Sequence, residues 1–84
     1  MTQSIEYNGI TIKMPFKIFK EYLKTDEMEQ ANHFSGEKVK LPMFAGAVRN
    51  KILDAEMDED YKTMRKGLDW FQRFFAKEYM ELLD

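Results

Sequence analysis

The stretch that decides the fold is SIEYNGITIKM, residues 4–14. Two runs of alternating apolar and polar residues flank Asn8-Gly9, a dipeptide that tolerates the positive φ angles of a two-residue hairpin turn. The short loop fixes the register, so the sequence predicts that Tyr7 faces Ile10. An isolated hairpin is marginal in water, and we therefore expect its apolar face to pack on helices. That face comprises Ile5, Tyr7, Ile10, Ile12 and Met14.

The residues that follow the hairpin predict two helices. Pro15 suits a first helical turn, and Phe16, Phe19 and Leu23 recur at helical spacing over residues 15–24. A second, short helix is predicted between Asp26 and Gly36, within residues 26–36. Its start is indicated by a capping residue, Asp26, with Glu29 three positions later, and its end by Gly36.

Residues 37–41 repeat the pattern of alternation followed by proline seen at the end of the hairpin. They predict either a short third strand beside the hairpin or an extended loop. Pro42 then opens a third predicted helix, whose inward residues are Phe44, Val48, Ile52 and Ala55. Gly46 lies inside that helix, where it lowers the intrinsic propensity and indicates close packing against a neighbour.

The last helix is predicted from Asp58 to the end of the chain, because apolar residues recur there at intervals of three and four. Such a helix would be about 40 Å long. A domain of this size has a radius of gyration of only about 12 Å. We therefore expect the helix either to bend near Gly67 or to project apolar surface beyond its own core.

Together these patterns predict one α+β domain over residues 1–84. The N-terminal hairpin, with a short third strand near 37–41 as an option, packs on three or four helices. The longest of these is the C-terminal helix. The length of 84 residues and a hydrophobic fraction of 44% suit one core.

The composition excludes several classes of site. The chain has no cysteine and one histidine, so Cys-containing metal sites and histidine clusters are excluded and no cofactor is implied. The acidic run 54–60 resembles a calcium loop only superficially, because Glu59 stands where glycine is needed and Arg65 where the bidentate Glu is needed. We expect that run to be a solvated, helix-capping connection.

No signal peptide or membrane span is apparent in the sequence, and we expect a cytoplasmic protein without a membrane partner. His33 is read as a surface histidine rather than a general base, because no nucleophile or orienting group is implied beside it. Nothing points to a small-molecule substrate, and the expected class is non-enzymatic.

Two functional hypotheses remain. The leading one is a small regulatory or inhibitory protein, of the size that phages and mobile elements encode, which binds a protein or itself through the C-terminal helix. Aromatic residues and methionine are enriched at interfaces, and the expected contact residues are Trp70, Phe74, Tyr79 and Met80. The alternative is an accessory nucleic-acid-binding module. It would use a lysine stripe on the first predicted helix, made of Lys13, Lys17, Lys20 and Lys24.

Overall fold

The computed structural model describes residues 3–32 and 34–82, and this part of the chain contains four β-strands and three α-helices. The strands are β1 (Ser4–Tyr7), β2 (Ile10–Lys13), β3 (Glu27–Ala31) and β4 (Lys38–Pro42). The helices are α1 (Met43–Met57), α2 (Tyr61–Phe74) and α3 (Ala76–Leu82). The strands form two separate antiparallel pairs, β1 with β2 and β3 with β4. The predicted α+β class is confirmed.

The first hairpin is confirmed in its register and turn. Tyr7 pairs with Ile10, and Asn8 and Gly9 have φ angles of 51° and 81°. Ile12 is 1% exposed and anchors the hairpin in the core. Ile10, which was expected on the packed face, is instead 51% exposed, whereas its cross-strand partner Tyr7 packs on Phe44.

The helix predicted over residues 15–24 is wrong. The chain there bends at residues 15, 16 and 24 and has no regular structure apart from one 3-10 turn, Lys20–Tyr22. The side-chain amide of Gln3 accepts a hydrogen bond from the backbone N–H of Ile18 at 2.8 Å and donates one to its carbonyl at 3.0 Å. These tertiary bonds take the place of helical ones at Ile18, which is buried. Because no helix forms, the lysines of the proposed stripe do not share a helix face.

The helix predicted over residues 26–36 is also wrong. Residues 27–31 form β3, in which Gln30 pairs with Val39 of β4. The strand proposed at 37–41 exists as β4, but its partner is β3 and not the first hairpin. The connection between the strands turns at Gly36, whose φ angle is 74°.

A buried polar network fastens this second hairpin to α1. Arg49 donates from one guanidinium nitrogen to Oε1 of Gln30 at 2.9 Å and from another to the carbonyl of Ala31 at 2.9 Å. Gln30 in turn donates to the carbonyl of Gly46 at 3.1 Å. Burial lowers the pKa of Arg49. Gly46 lies so close to β3 that an added Cβ would collide with Sδ of Met28, as its position in the helix predicted.

The helix predicted from Pro42 is confirmed as α1, and all four of its expected inward residues are buried. At its end Glu59 adopts a left-handed φ of 59°, and the N–H of Asp60 bonds the carbonyl of Ala55 at 2.8 Å. This pattern is a Schellman motif, which ends a helix sharply. Asp60 then caps α2 by accepting a hydrogen bond from the N–H of Thr63. The acidic run therefore caps both helices.

The single long C-terminal helix is wrong, because the chain breaks at Phe75 into α2 and α3. The break lies well beyond Gly67, where a bend was proposed. Gly67 instead allows α2 to approach Ile52 of α1 closely. Beyond the break, α3 is tied back by Asn32, whose side chain donates to the carbonyl of Glu81 at 2.7 Å. The radius of gyration, 12.1 Å, reflects this return.

One apolar cluster joins the first hairpin, β4 and the three helices. Phe44 lies at its centre, with its ring centroid 5.4 Å from that of Tyr7, 5.8 Å from Phe75 and 6.1 Å from Trp70. The edge-on geometry of these rings is the favoured arrangement for aromatic pairs. Much of the aromatic load of the sequence is therefore core.

Candidate functional site: an aromatic cleft and a basic groove

One surface depression among the described residues, here called the aromatic cleft, lies between residues 17–22 and α1 and has a volume of about 1210 Å³. Apolar residues from several elements line it, among them Ile18, Met28, Ala47 and Ala55. Its lining also includes Phe19 and Tyr22. The cleft is thus apolar in part and open to solvent.

Phe19 and Tyr22 are held outward by the way their segment is attached. Ile18, directly before Phe19, is buried and pinned by the side chain of Gln3. On the other side, the ammonium of Lys51 on α1 donates to the carbonyl of Lys17 at 3.3 Å. With the backbone fixed on both sides of Ile18, the next side chain points away from the core.

The resulting aromatic pair is an unusual exposure of apolar surface. Phe19 is 72% exposed and Tyr22 is 46% exposed, and their rings meet edge-on with centroids 6.3 Å apart. Burying a phenylalanine side chain stabilises a protein by roughly 1.5–3 kcal/mol, and this pair forgoes much of that gain. Apolar surface grouped beside a cleft is typical of a binding surface.

The two walls of the aromatic cleft carry opposite charges. The wall formed by residues 17–22 contributes Lys17 and Lys20 to the lining, and the opposite wall contributes Asp54, Asp58 and Asp60. Hydrogen bonding with Thr63 lowers the pKa of Asp60, and the charges of Lys51 and Lys62 lower it further. Asp60 therefore keeps its negative charge to a lower pH than an ordinary aspartate does.

Lys51 lies on α1, three residues before Asp54, and is already bonded within the chain. Its ammonium bonds the carbonyl of Lys17 and lies 5.4 Å from the ring centroid of Phe16. The cleft thus has a basic wall with Lys17 and Lys20 and an acidic wall whose three aspartates outnumber its one lysine.

A smaller depression, here called the basic groove, lies between β2 and α2 and has a volume of about 540 Å³. Its basic residues are Lys13, Lys66 and Arg73, and one acid, Asp69, lies among them. Within residues 3–32 and 34–82 the one salt bridge joins Lys38 to Glu29, so none of these cations is paired in that part of the chain. The groove carries net positive charge.

The four residues that the sequence proposed for protein binding lie in different environments in the structure. Trp70 is 6% exposed, and its indole N–H donates to the carbonyl of Lys13 at 2.8 Å. Phe74 is half-buried and lines the basic groove with Trp70. Tyr79 is half-buried on α3, and Met80 is 66% exposed there. Neither of these two lines the groove.

The proposed lysine stripe is divided among different surfaces. Lys13 lies in the basic groove, while Lys17 and Lys20 lie in the aromatic cleft. Lys24 lines neither depression. The structure thus brings Lys13 together with Trp70, a pairing of residues from the two functional hypotheses.

Sequence reasoning missed several residues of these surfaces. Phe19 was assigned to the inward face of a helix, whereas its exposure marks the aromatic cleft. Lys66 and Arg73 were not singled out, although their spacing of seven residues places them on one side of α2. That spacing could have identified Lys66 and Arg73 from the sequence. The exposure of Phe19 could not have been identified in this way, because it depends on the tertiary contact of Gln3 with Ile18.

The described part of the chain contains neither a metal-binding cluster nor a membrane-spanning helix. Among the described residues, no group of three or more His, Asp or Glu is placed to hold a metal ion. In residues 3–32 and 34–82 there is also no helix long and apolar enough to cross a lipid bilayer. His33 lies outside the described residues.

No protein-family model matches this chain, and no curated protein or solved structure is significantly similar to it. The chemistry of the aromatic cleft and the basic groove is therefore the basis for inferring a function.

Proposed function

We propose that this chain is a small, non-enzymatic interaction protein that acts as a regulator or inhibitor by binding a protein through the aromatic cleft. The observation that carries the proposal is the 72% exposure of Phe19 beside Tyr22 at the edge of a cleft of about 1210 Å³. Covering these rings would recover hydrophobic free energy that the isolated chain leaves unused.

The cleft is a better contact surface than the C-terminal helix on which the sequence hypothesis relied. Of the four residues proposed there, only Met80 is largely exposed, whereas Trp70 is in the core. Aromatic residues in the middle of a contact surface dominate binding energies when a partner excludes water from them. Phe19 and Tyr22 have the exposure that this role requires.

The test is an affinity purification from the source cells with the tagged chain and two variants. We expect the double variant Phe19→Ala, Tyr22→Ala to lose the proteins that the unaltered chain recovers, with enrichment reduced about tenfold or more, as for loss of an interface hot spot. The matched control is Phe34→Ala, because Phe34 is 100% exposed but does not line the cleft. Recovery of the same proteins by the cleft variant and the unaltered chain would contradict the proposal.

The basic groove supports a second candidate, an accessory nucleic-acid-binding function. Its Lys13, Lys66 and Arg73 could each contact a phosphate, and such binding weakens steeply with salt. We expect the double variant Lys66→Glu, Arg73→Glu to abolish binding of a single-stranded oligonucleotide in fluorescence anisotropy at low salt. Lys24→Glu is the control, since Lys24 lies outside the groove. Equal binding by both variants would remove this candidate.

A further inference from the structure

We propose that the occupant of the aromatic cleft is a second copy of this chain, related to the first by a two-fold axis parallel to the length of the cleft. The inference rests on the proposed function only in taking the cleft as the binding surface. It adds the identity and the geometry of the partner.

The arrangement of charge across the cleft carries the inference. The basic wall holds Lys17 and Lys20, and the acidic wall holds Asp54, Asp58 and Asp60 together with one cation, Lys51. Rotation by 180° about an axis along the cleft turns a second copy face to face with the first and exchanges left for right. The basic wall of each copy then meets the acidic wall of the other. A two-fold interface requires such self-complementarity.

A partner with charge of one sign does not fit this surface equally well. A nucleic acid or an acidic segment would be attracted to Lys17 and Lys20 but repelled by the acidic wall, and a basic segment would meet the reverse. Like charges brought together at an interface cost several kcal/mol. A second copy avoids both repulsions, because the basic wall of each copy faces the acidic wall of the other in two equivalent contacts.

The apolar part of the cleft suits the same arrangement. Phe19 and Tyr22 belong to the basic wall, so each copy would place this pair against the acidic wall of the other, where Ala47 and Ala55 of α1 also line the cleft. A standard interface buries about 800 Å² on each partner. That is roughly an eighth of the 6051 Å² of accessible surface of this chain, so the contact between two copies must extend beyond the side chains that line the cleft.

The experiment is sedimentation velocity on the purified chain over a range of concentrations, with charge reversals on each wall. The basic-wall variant is Lys17→Glu, Lys20→Glu, and the acidic-wall variant is Asp54→Lys, Asp58→Lys. All four side chains are exposed, so the variants are expected to fold. Each variant alone should be monomeric where the unaltered chain is dimeric, with its dimer dissociation constant raised at least about tenfold.

Mixing the two variants is the decisive step. In the mixture the reversed wall of each chain faces the complementary reversed wall of the other, and the two native walls also face one another. A heterodimer should therefore form with affinity close to that of the unaltered homodimer. If Lys20 and Asp58 only attracted each other within one chain, mixing would restore nothing, and the inference would be overturned.

Further controls separate this inference from the proposed function. Phe19→Ala should dissociate the dimer, whereas Phe34→Ala should leave it intact. An unaltered chain that stays monomeric at millimolar concentration would refute self-association. It would leave the affinity purification to decide whether a different protein binds the cleft. If instead the dimer forms and survives Phe19→Ala, the contact lies elsewhere, and the inference fails.

Discussion

The two hairpins have the same antiparallel architecture but different origins. In the first, alternation and the Asn8-Gly9 turn specify both strands and their register. In the second, β3 consists of Glu27, Met28, Glu29, Gln30 and Ala31, residues that favour helix over strand. The first hairpin is encoded locally, and the second is imposed by contacts distant in sequence.

The contacts that impose the second hairpin can be named. Arg49 of α1 bonds both the side chain of Gln30 and the backbone of Ala31, and an α-helix over these residues would direct that carbonyl to its own chain. Pairing with β4, whose Val39 and Leu41 are buried, supplies the other edge. Long-range bonds and burial together outweigh a local preference of a few tenths of a kcal/mol per residue.

The largest expected effect is therefore the loss of Arg49. Arg49→Ala should lower the free energy of unfolding by about 3 kcal/mol, because Gln30 and Ala31 lose buried hydrogen-bond donors and a void remains. Arg49→Lys should lower the free energy of unfolding by less than Arg49→Ala does, because the single ammonium of lysine replaces only part of the guanidinium fork. Urea denaturation measures both.

Lys40→Ala is the control for that series. Lys40 is an exposed residue of β4, and its loss should change the free energy of unfolding by less than about 0.5 kcal/mol. A comparably small effect of Arg49→Ala would show that the network does not hold the second hairpin.

The two turns provide a sharper comparison of intermediate size. Gly9 and Gly36 have φ angles of +81° and +74°, and an added Cβ would have no neighbour within 4 Å at either. Gly9→Ala and Gly36→Ala should each cost about 1–2 kcal/mol through backbone strain alone. Thermal unfolding measures both.

Asparagine tolerates left-handed angles, and Gly9→Asn and Gly36→Asn should therefore cost less than the alanine changes. A neutral Gly36→Ala would mean that the second turn does not require a left-handed residue.

The sign of a smaller change in stability tests the conformation of β3. Ala31 is exposed in β3, and Ala31→Thr should stabilise a strand by about 0.5 kcal/mol. In the helix that the sequence predicted, the same change would destabilise by a similar amount. Arg65→Thr, on the exposed face of α2, should show that opposite sign. Destabilisation by Ala31→Thr in urea titration would favour the helical reading.

The smallest expected effect concerns the salt bridge of the second hairpin. Lys38 and Glu29 lie 3.8 Å apart with side chains 70% and 51% exposed, so solvent screens their attraction. Glu29→Gln should change the free energy of unfolding by less than about 0.5 kcal/mol at low salt. A larger loss of stability would show that this exposed pair helps to hold β3, contrary to what its solvation leads us to expect.

Prediction from sequence succeeded where local chemistry and packing agreed. The first hairpin and α1 are examples, and in α1 the apolar spacing of Phe44, Val48 and Ile52 matches the buried face. It failed over residues 15–24, where Phe16 and Phe19 have helical spacing but the side chain of Gln3 holds Ile18 instead. The spacing of apolar residues could not reveal that the side-chain amide of Gln3, distant in sequence, would bond the backbone of Ile18 in place of helical partners.

The residues proposed for binding do not lie together on one surface. Aromatic residues and lysines were the residue types proposed, yet Trp70 lies in the core and Phe19 at the surface. Helical spacing predicts only that a residue shares a face with others. Which face is covered depends on how the chain returns, and here the break at Phe75 brings α3 back onto the body.

By itself, the sequence determined the α+β class, the first hairpin with its register, and the helix that follows Pro42. Turn geometry and apolar periodicity act between near neighbours and need no partner elsewhere in the chain. Only the tertiary structure decided that residues 27–31 form a strand, that the last helix divides at Phe75, and that Phe19 faces solvent. Each of these outcomes depends on hydrogen bonds or burial between residues far apart in sequence, which compete with the local preference and prevail.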